Sequence, residues 1–205
     1  EEAEKPERKE RKSSKPETLL HILKPETDST HQGGIYHKTQ IDLTYNSNHI
    51  EGSRLTHDQT RYIFETNTIG IENEAVNVDD VIETTNHFRC IDMIIDNAKC
   101  ALTEKFIKEL HKVLKSGTTD SYKDWFAVGN YKKVPNEVGG METVLPENVS
   151  DHIKQLLAEY NGKENVTIED IIEFHVRFER IHPFQDGNGR IGRLIMFKEC
   201  LKHNI

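Results

Sequence analysis

Residues 182–193 read His-Pro-Phe-Gln-Asp-Gly-Asn-Gly-Arg-Ile-Gly-Arg. One short stretch thus holds an imidazole, a carboxylate, a Gly-Asn-Gly turn and two guanidinium groups. An imidazole titrates near neutral pH and can take a proton from a hydroxyl. A carboxylate is a hard ligand for Mg²⁺, and glycines leave the backbone N–H groups open to a phosphate. Arg190 and Arg193 lie three residues apart and share one face of a helical first turn. Cations are unfavourable at a helix N-terminus, where the dipole is already positive, unless an anion lies between them. The composition therefore points to a site that binds phosphates and activates a nucleophile.

The flanking segments read as the helices that position these groups. Thr167 can cap a helix running to about Ile181, with Asp170 as a capping-box partner and Ile168, Ile171, Ile172 and Phe178 as its apolar positions. Pro183 disfavours helical geometry at His182 and so ends that helix. A second helix opens at about Gly189, with Ile191, Leu194, Ile195 and Cys200 or Leu201 on its buried face. His175, seven residues before His182, falls on nearly the same face and reads as a half-buried histidine rather than a metal ligand.

The dozen resembles the signature of the Fic family, His-Pro-Phe-x-(Asp/Glu)-Gly-Asn-Gly-Arg-x-x-Arg, at every specified position. The resemblance implies an all-α fold, a helical bundle core with a small β-hairpin flap. It implies transfer of AMP from ATP to a Ser, Thr or Tyr hydroxyl of a protein, with Mg²⁺. His182 would be the general base, and Asp186 would hold the metal. Gly187, Asn188 and Gly189 would cradle the phosphates, the Asn188 side chain helping to place the α-phosphate. Arg190 would bind the β- and γ-phosphates and Arg193 the γ-phosphate, while Phe184 would anchor the loop. Ser47-Asn-His-Ile-Glu51-Gly52 resembles the family's inhibitory motif, (Ser/Thr)-x-x-x-Glu-(Gly/Asn). Ser47 and Glu51 would share a helix face, within an inhibitory helix near 42–52. Glu51 would reach Arg193 in the place of the γ-phosphate, and Gly52 would end the helix. The same site in relatives can use another nucleotide or remove AMP. A nucleotide-binding regulator with little turnover is the rival from a different class.

Between the helices the chain has further signals. A short helix is expected over 17–24, a polar loop over 27–39, and a helical or extended piece over 56–66. Asn77 caps a helix to about Ile95, Thr103 caps one over 104–114, and Ser150 caps one to Tyr160. The Gly139-Gly140 pair predicts a hairpin within a flap near 129–147. In the family this flap aligns the target chain, so Lys132, Val134, Val138 and Met141 are candidate contacts.

The remaining bounds are set by composition. The 205 residues, after a charged stretch over 1–17, suit one domain over 18–205. That stretch reads as a disordered tail or a processed or appended end. A net charge of −8 argues against nucleic acid or an anionic membrane as partner. Three cysteines without a Cys-x-x-Cys pattern read as reduced, mostly buried thiols in a cytoplasmic protein. The absence of Gly-x-x-x-x-Gly-Lys-(Ser/Thr) disfavours a P-loop kinase. Expected partners are ATP and a protein substrate, this chain included, with a homodimer compatible and no separate antitoxin needed. Fic domains continue past the motif helix, so the end at Ile205 raises the expectation of missing packing there.

Overall fold

The computed structural model describes residues 18–28, 33–70 and 75–205; the charged stretch over 1–17 lies outside them. Among the described residues the chain forms eight α-helices and a two-stranded hairpin. The helices are α1 (Leu19–Asp28), α2 (Ile35–Ile50), α3 (His57–Thr66), α4 (Val78–Asp96), α5 (Glu104–Lys115), α6 (Val149–Asn161), α7 (Ile168–Ile181) and α8 (Asn188–His203). The strands β1 (Glu137–Val138) and β2 (Met141–Glu142) pair antiparallel, Val138 opposite Met141. Gly139 and Gly140 both have positive φ, as the tight turn between them requires. Among the described residues no helix is long and apolar enough to cross a membrane.

Local signals set most boundaries. Thr167 and Asp170 form the expected capping box, and Thr56 and Gln59 form another at the start of α3. Asn77 and Thr103 cap α4 and α5 as expected. The helix expected from Ser150 instead begins at Val149, because a 3₁₀ turn over Pro146–Asn148 leads directly into it. The buried stripe of α7 is Ile171, Phe174, Phe178 and Ile181, whereas Ile168 and Ile172 are exposed. The correct stripe follows i, i+3, i+7, i+10, and the two outward isoleucines lie beside it. Of the cysteines only Cys90 is buried; Cys100 is exposed and Cys200 is intermediate.

The main departure is α2. A polar loop was expected over 27–39, yet α1 continues to Asp28 and α2 starts at Ile35. Its buried face is Gln40, Ile41, Thr44, Ser47 and Asn48, so an apolar period is nearly missing. Hydrogen bonds hold that face to α4 one turn at a time. Gln40 Nε2 donates to Asp92 Oδ1 (2.7 Å) and to the Phe88 carbonyl (3.3 Å). Thr44 Oγ1 pairs with His87 Nδ1 (2.9 Å), and Asn48 Nδ2 donates to Thr84 Oγ1 (3.2 Å). Buried polar groups are tolerated when paired in this way.

His87 is fully buried at the centre of this ladder. Burial, with Arg190 and Arg193 adding to it, lowers its pKa to about 3. The folded state therefore holds the neutral ring while the unfolded chain takes a proton below its ordinary value of about 6.5. The contribution to stability is complete above that pH and is lost as pH falls towards 3. Between pH 7 and pH 5 His87 should remove on the order of 2 kcal/mol of stability. Urea unfolding at both pH values should show this loss, and His87→Gln should flatten it; equal pH slopes for the two proteins would contradict the assignment.

Candidate active site

The loop over 182–187 joins α7 to α8, and each turn of it is held from a different element. His182 takes the left-handed conformation (φ 51°) as the C-cap of α7, its N–H donating to the Phe178 carbonyl (3.0 Å). A non-glycine residue there is uncommon; Pro183 denies His182 a right-handed helical backbone and so ends α7, and the left-handed turn lets its N–H close the last turn of the helix. The His182 Nδ1–H donates to the Glu179 carbonyl (3.3 Å). That tautomer leaves Nε2 with its lone pair. Burial, foremost, pulls the imidazole below its ordinary pKa, so the free-base form prevails at neutral pH.

Phe184 is fully buried and stacks on His111 of α5, with ring centroids 4.0 Å apart and planes 3° from parallel. Gly129 N–H donates to His111 Nδ1 (2.9 Å), so His111 Nε2–H donates to the Asp186 carbonyl (3.1 Å). Burial lowers the His111 pKa to about 3, which keeps this neutral tautomer in place. Asn188, 1% exposed, closes the loop from inside. Its Oδ1 accepts from Phe184 N–H (2.8 Å) and its Nδ2 donates to the Phe184 carbonyl (2.8 Å). The side chain expected to help place a phosphate thus ties the loop together in this arrangement. Gly187 has φ 84°, a left-handed conformation that favours glycine, and lies beside Leu114, Lys115 and His111.

Asp186 and Arg190 belong to a compact charged cluster. Asp186 Oδ2 accepts from Lys115 Nζ (2.6 Å) and from Arg190 Nη2 (3.2 Å). Glu83 of α4 bonds both Lys115 and Arg190. The Lys115 and Arg190 side chains are only 3% and 5% exposed, while that of Asp186 is 47% exposed. Burial raises the Asp186 pKa, but Lys115 and Arg190 more than offset it and hold the carboxyl below its usual value. Arg190 was expected on the β- and γ-phosphates; its guanidinium is instead buried and turned to Glu83 and Asp186. Asp186 Oδ1 takes no part in these ion pairs. One partly exposed carboxylate beside a helix N-terminus suits Mg²⁺ arriving with phosphates, an ion that needs one or two protein carboxylates rather than a full protein cage. Among the described residues no group of three or more His, Cys, Asp and Glu side chains could hold a metal.

Arg193 faces the other way, to the end of α2. Its Nη2 donates to Glu51 Oε1 (2.6 Å) and to the Ser47 carbonyl (3.0 Å), and its Nε donates to Ser47 Oγ (2.9 Å). Glu51 is the C-cap of α2, and Gly52 turns the chain away with φ 94°. The Glu51 carboxylate lies so close over the Gly189 Cα that a side chain there would collide with it. Three residues on, Gly192 leaves room for Glu179 and for the half-buried His175 of α7.

The flap docks on the loop through alternate residues. Lys132 N–H donates to the Pro183 carbonyl (2.8 Å), Val134 N–H to Gln185 Oε1 (3.3 Å), and Asn136 Nδ2 to the Phe184 carbonyl (3.0 Å). Val134, Val138 and Met141 are exposed. Lys132 is not: its Nζ donates to Asn136 Oδ1 (2.7 Å) and Thr143 Oγ1 (2.6 Å), and burial lowers its pKa to about 8. It braces the flap from within instead of offering a surface contact.

The comparisons with known proteins follow this geometry. The profile of the Fic/DOC family matches residues 101–200. A crystal structure of a Fic domain-containing signalling protein from Bacteroides thetaiotaomicron superposes with a TM-score of 0.72 at 32% identity, covering 90% of this chain and 68% of that one. The chain belongs to the Fic family. Protein adenylyltransferase fic-1 of Caenorhabditis elegans is 27% identical over 168 residues, 78% of this chain and 31% of that protein. Protein adenylyltransferase Fic of Aedes aegypti is 26% identical over 160 residues, 76% of this chain and 31% of that protein. The chain therefore spans about a third of the length of the curated relatives it matches.

Sequence reasoning passed over His111, Lys115 and Glu83. A signal existed for two of them: His111 and Lys115 are four apart, and they border the buried stripe Ile107, Leu110 and Leu114 of α5. Their polarity hid them. Within this Fic domain, Asn188→Ala should lower the free energy of unfolding by about 1–2 kcal/mol, since it strands the buried Phe184 N–H while Asn136 Nδ2 still bonds the Phe184 carbonyl. Asn188→Asp should cost at least as much, because a carboxylate would face that carbonyl. Denaturant titration checks both, and near-parental midpoints would show that the loop holds without Asn188.

Proposed function

We propose that this Fic domain transfers AMP from ATP to a hydroxyl of a protein, and that Glu51 holds the reaction off in the same chain. The observation that carries the reading is the Glu51–Arg193 contact above Gly189, in a family whose curated relatives are named protein adenylyltransferases. A carboxylate bound to the second motif arginine takes the place that a terminal phosphate of ATP would need.

In the proposed reaction Glu51 swings aside and Arg193 takes the γ-phosphate. Its planar fork can bind two oxygens at once. The backbone N–H groups over 187–189 receive the inner phosphates at the N-terminus of α8. His182 Nε2 removes the proton from the target hydroxyl. That oxygen then bonds the α-phosphorus as the bond to pyrophosphate breaks, so the negative charge leaves with pyrophosphate and the proton stays on His182. Mg²⁺, held at Asp186, would neutralise charge on the phosphates. Arg190 acts one step back, keeping Asp186 in place. The exposed edge at Val134, Val138 and Met141 aligns the target chain, with Lys132 stiffening the flap behind it. The modified residue is a Ser, Thr or Tyr, and this chain can be among the targets.

The test is label transfer with Mg²⁺ and ATP labelled at the α- or the γ-phosphate, in a cell extract. Three proteins suffice: the parent chain, Glu51→Gly, and Glu51→Gly with His182→Ala. Protein-bound α-label should be low with the parent, rise tenfold or more with Glu51→Gly, and vanish without His182. Bound γ-label would mean phosphoryl transfer and refute the reading. ATP binding with no transfer would point to a nucleotide-binding regulator, and loss of AMP from pre-labelled proteins by the parent to the reverse reaction.

A further inference from the structure

The charged cluster behind Asp186 has a composition that a merely structural ion pair does not need. Two cations, Lys115 and Arg190, meet two carboxylates, Glu83 and Asp186, and Asp120 stands 3.9 Å from Lys115 Nζ. Three of the four principal side chains are largely buried, while Asp186 alone reaches the cleft. Glu83 and Asp186 share the Lys115 ammonium, one on each side. The cluster is therefore close to neutral before anything binds. A divalent cation arriving alone at Asp186 meets an ammonium 2.6 Å from the same carboxylate. A cation arriving with phosphates brings its own compensating charge. The Lys115 charge is buried and so is screened less than a surface charge, even though Asp186 itself is partly exposed.

We propose that Lys115, clamped by Glu83, is a positioning residue that serves as the standing counter-cation of Asp186 and sets how tightly this carboxylate takes a divalent cation. The inference rests on the nucleotide-transfer reading of the site. Lys115 keeps the Asp186 carboxylate oriented while no ligand is bound. It also weakens the carboxylate for a bare metal ion, so the ion enters with its nucleotide. Glu83 draws part of the ammonium's charge away from Asp186. The two residues thus act on the metal in opposite senses: loss of Lys115 strengthens ion binding, and loss of the Glu83 charge weakens it.

The experiment reads binding rather than turnover. A fluorescent ATP analogue is bound to the Glu51→Gly domain at fixed low concentration, and Mg²⁺ is titrated to find the half-saturating concentration. Adding Lys115→Met should lower that concentration roughly tenfold, and adding Glu83→Gln should raise it several-fold. Lys115→Arg, which keeps the charge, should stay near the starting value. A residue that only supported the fold would move Lys115→Met and Glu83→Gln in the same direction, alongside a lower melting temperature. That pattern, or an unchanged half-saturation in Lys115→Met, would overturn the proposal. If Lys115→Met does not fold, Glu83→Gln decides: an unchanged or lower half-saturation overturns it. Failure of the Glu51→Gly domain to bind the nucleotide at any Mg²⁺ concentration would overturn the transfer reading and this inference with it.

Discussion

The turn between α7 and α8 is the constraint that the surrounding structure serves. It must leave one helix through a left-handed histidine and enter the next through a left-handed glycine, with the exposed ends of both helices close by. Such a loop would be loose by its own hydrogen bonds alone. It is fixed because Asn188 ties it internally, His111 takes the Asp186 carbonyl, and the flap takes the carbonyls of Pro183 and Phe184. The Phe184 ring supplies the apolar weight beneath it, against His111 and Tyr131. The polar atoms of the motif therefore divide into two sets. Asn188 and Arg190 face inward and hold shape, while His182, Asp186 and Arg193 stay partly exposed.

The contact between Glu51 and Arg193 has to be weighed against its exposure. A partly exposed ion pair contributes about 0–1 kcal/mol, too little to close a site by itself. Its effect comes from where α2 already stands. The ladder from Gln40 through Thr44 to Asn48 fixes the helix on α4, and Ser47 supplies two further bonds to Arg193. Glu51 thus meets Arg193 without loss of chain entropy, because the helix is ordered whether or not the pair forms. In the proposed reaction the same arrangement would let Glu51 move aside by its side chain alone, with α2 kept on α4.

The motif loop, its two flanking helices and the capping residues were readable in sequence because each rests on local chemistry. Pro183 after His182, Thr167 with Asp170, and the paired glycines of the hairpin act within a few residues. The start of α2 was not readable, since a helix buried through Gln, Thr, Ser and Asn has no apolar period, and its partners on α4 lie far along the chain. For the same reason nothing in the sequence singled out Glu83 and Lys115: their environment exists only once α4, α5 and α8 come together. Arg190 and Arg193 were readable as a pair but not in their partners: in this structure Arg190 is buried against Glu83 and Asp186, and the more exposed Arg193 is held by Ser47 and Glu51.

Gly189 ties these strands of the argument together. A helical glycine costs stability relative to alanine, and its backbone geometry at this position makes no demand for one. The need is for empty space above the Cα, which the Glu51 carboxylate occupies. In the proposed reaction the phosphates of ATP require that same space beside the first N–H groups of α8. Two anions cannot share it, so the closed and nucleotide-bound states exclude each other at a single residue. In that reading Arg193 adds to the exclusion because the Nη2 that bonds Glu51 would turn to the phosphate. If the proposed reaction holds, control of the site would follow from one small volume, one guanidinium and two competing ligands, one of which the chain carries itself.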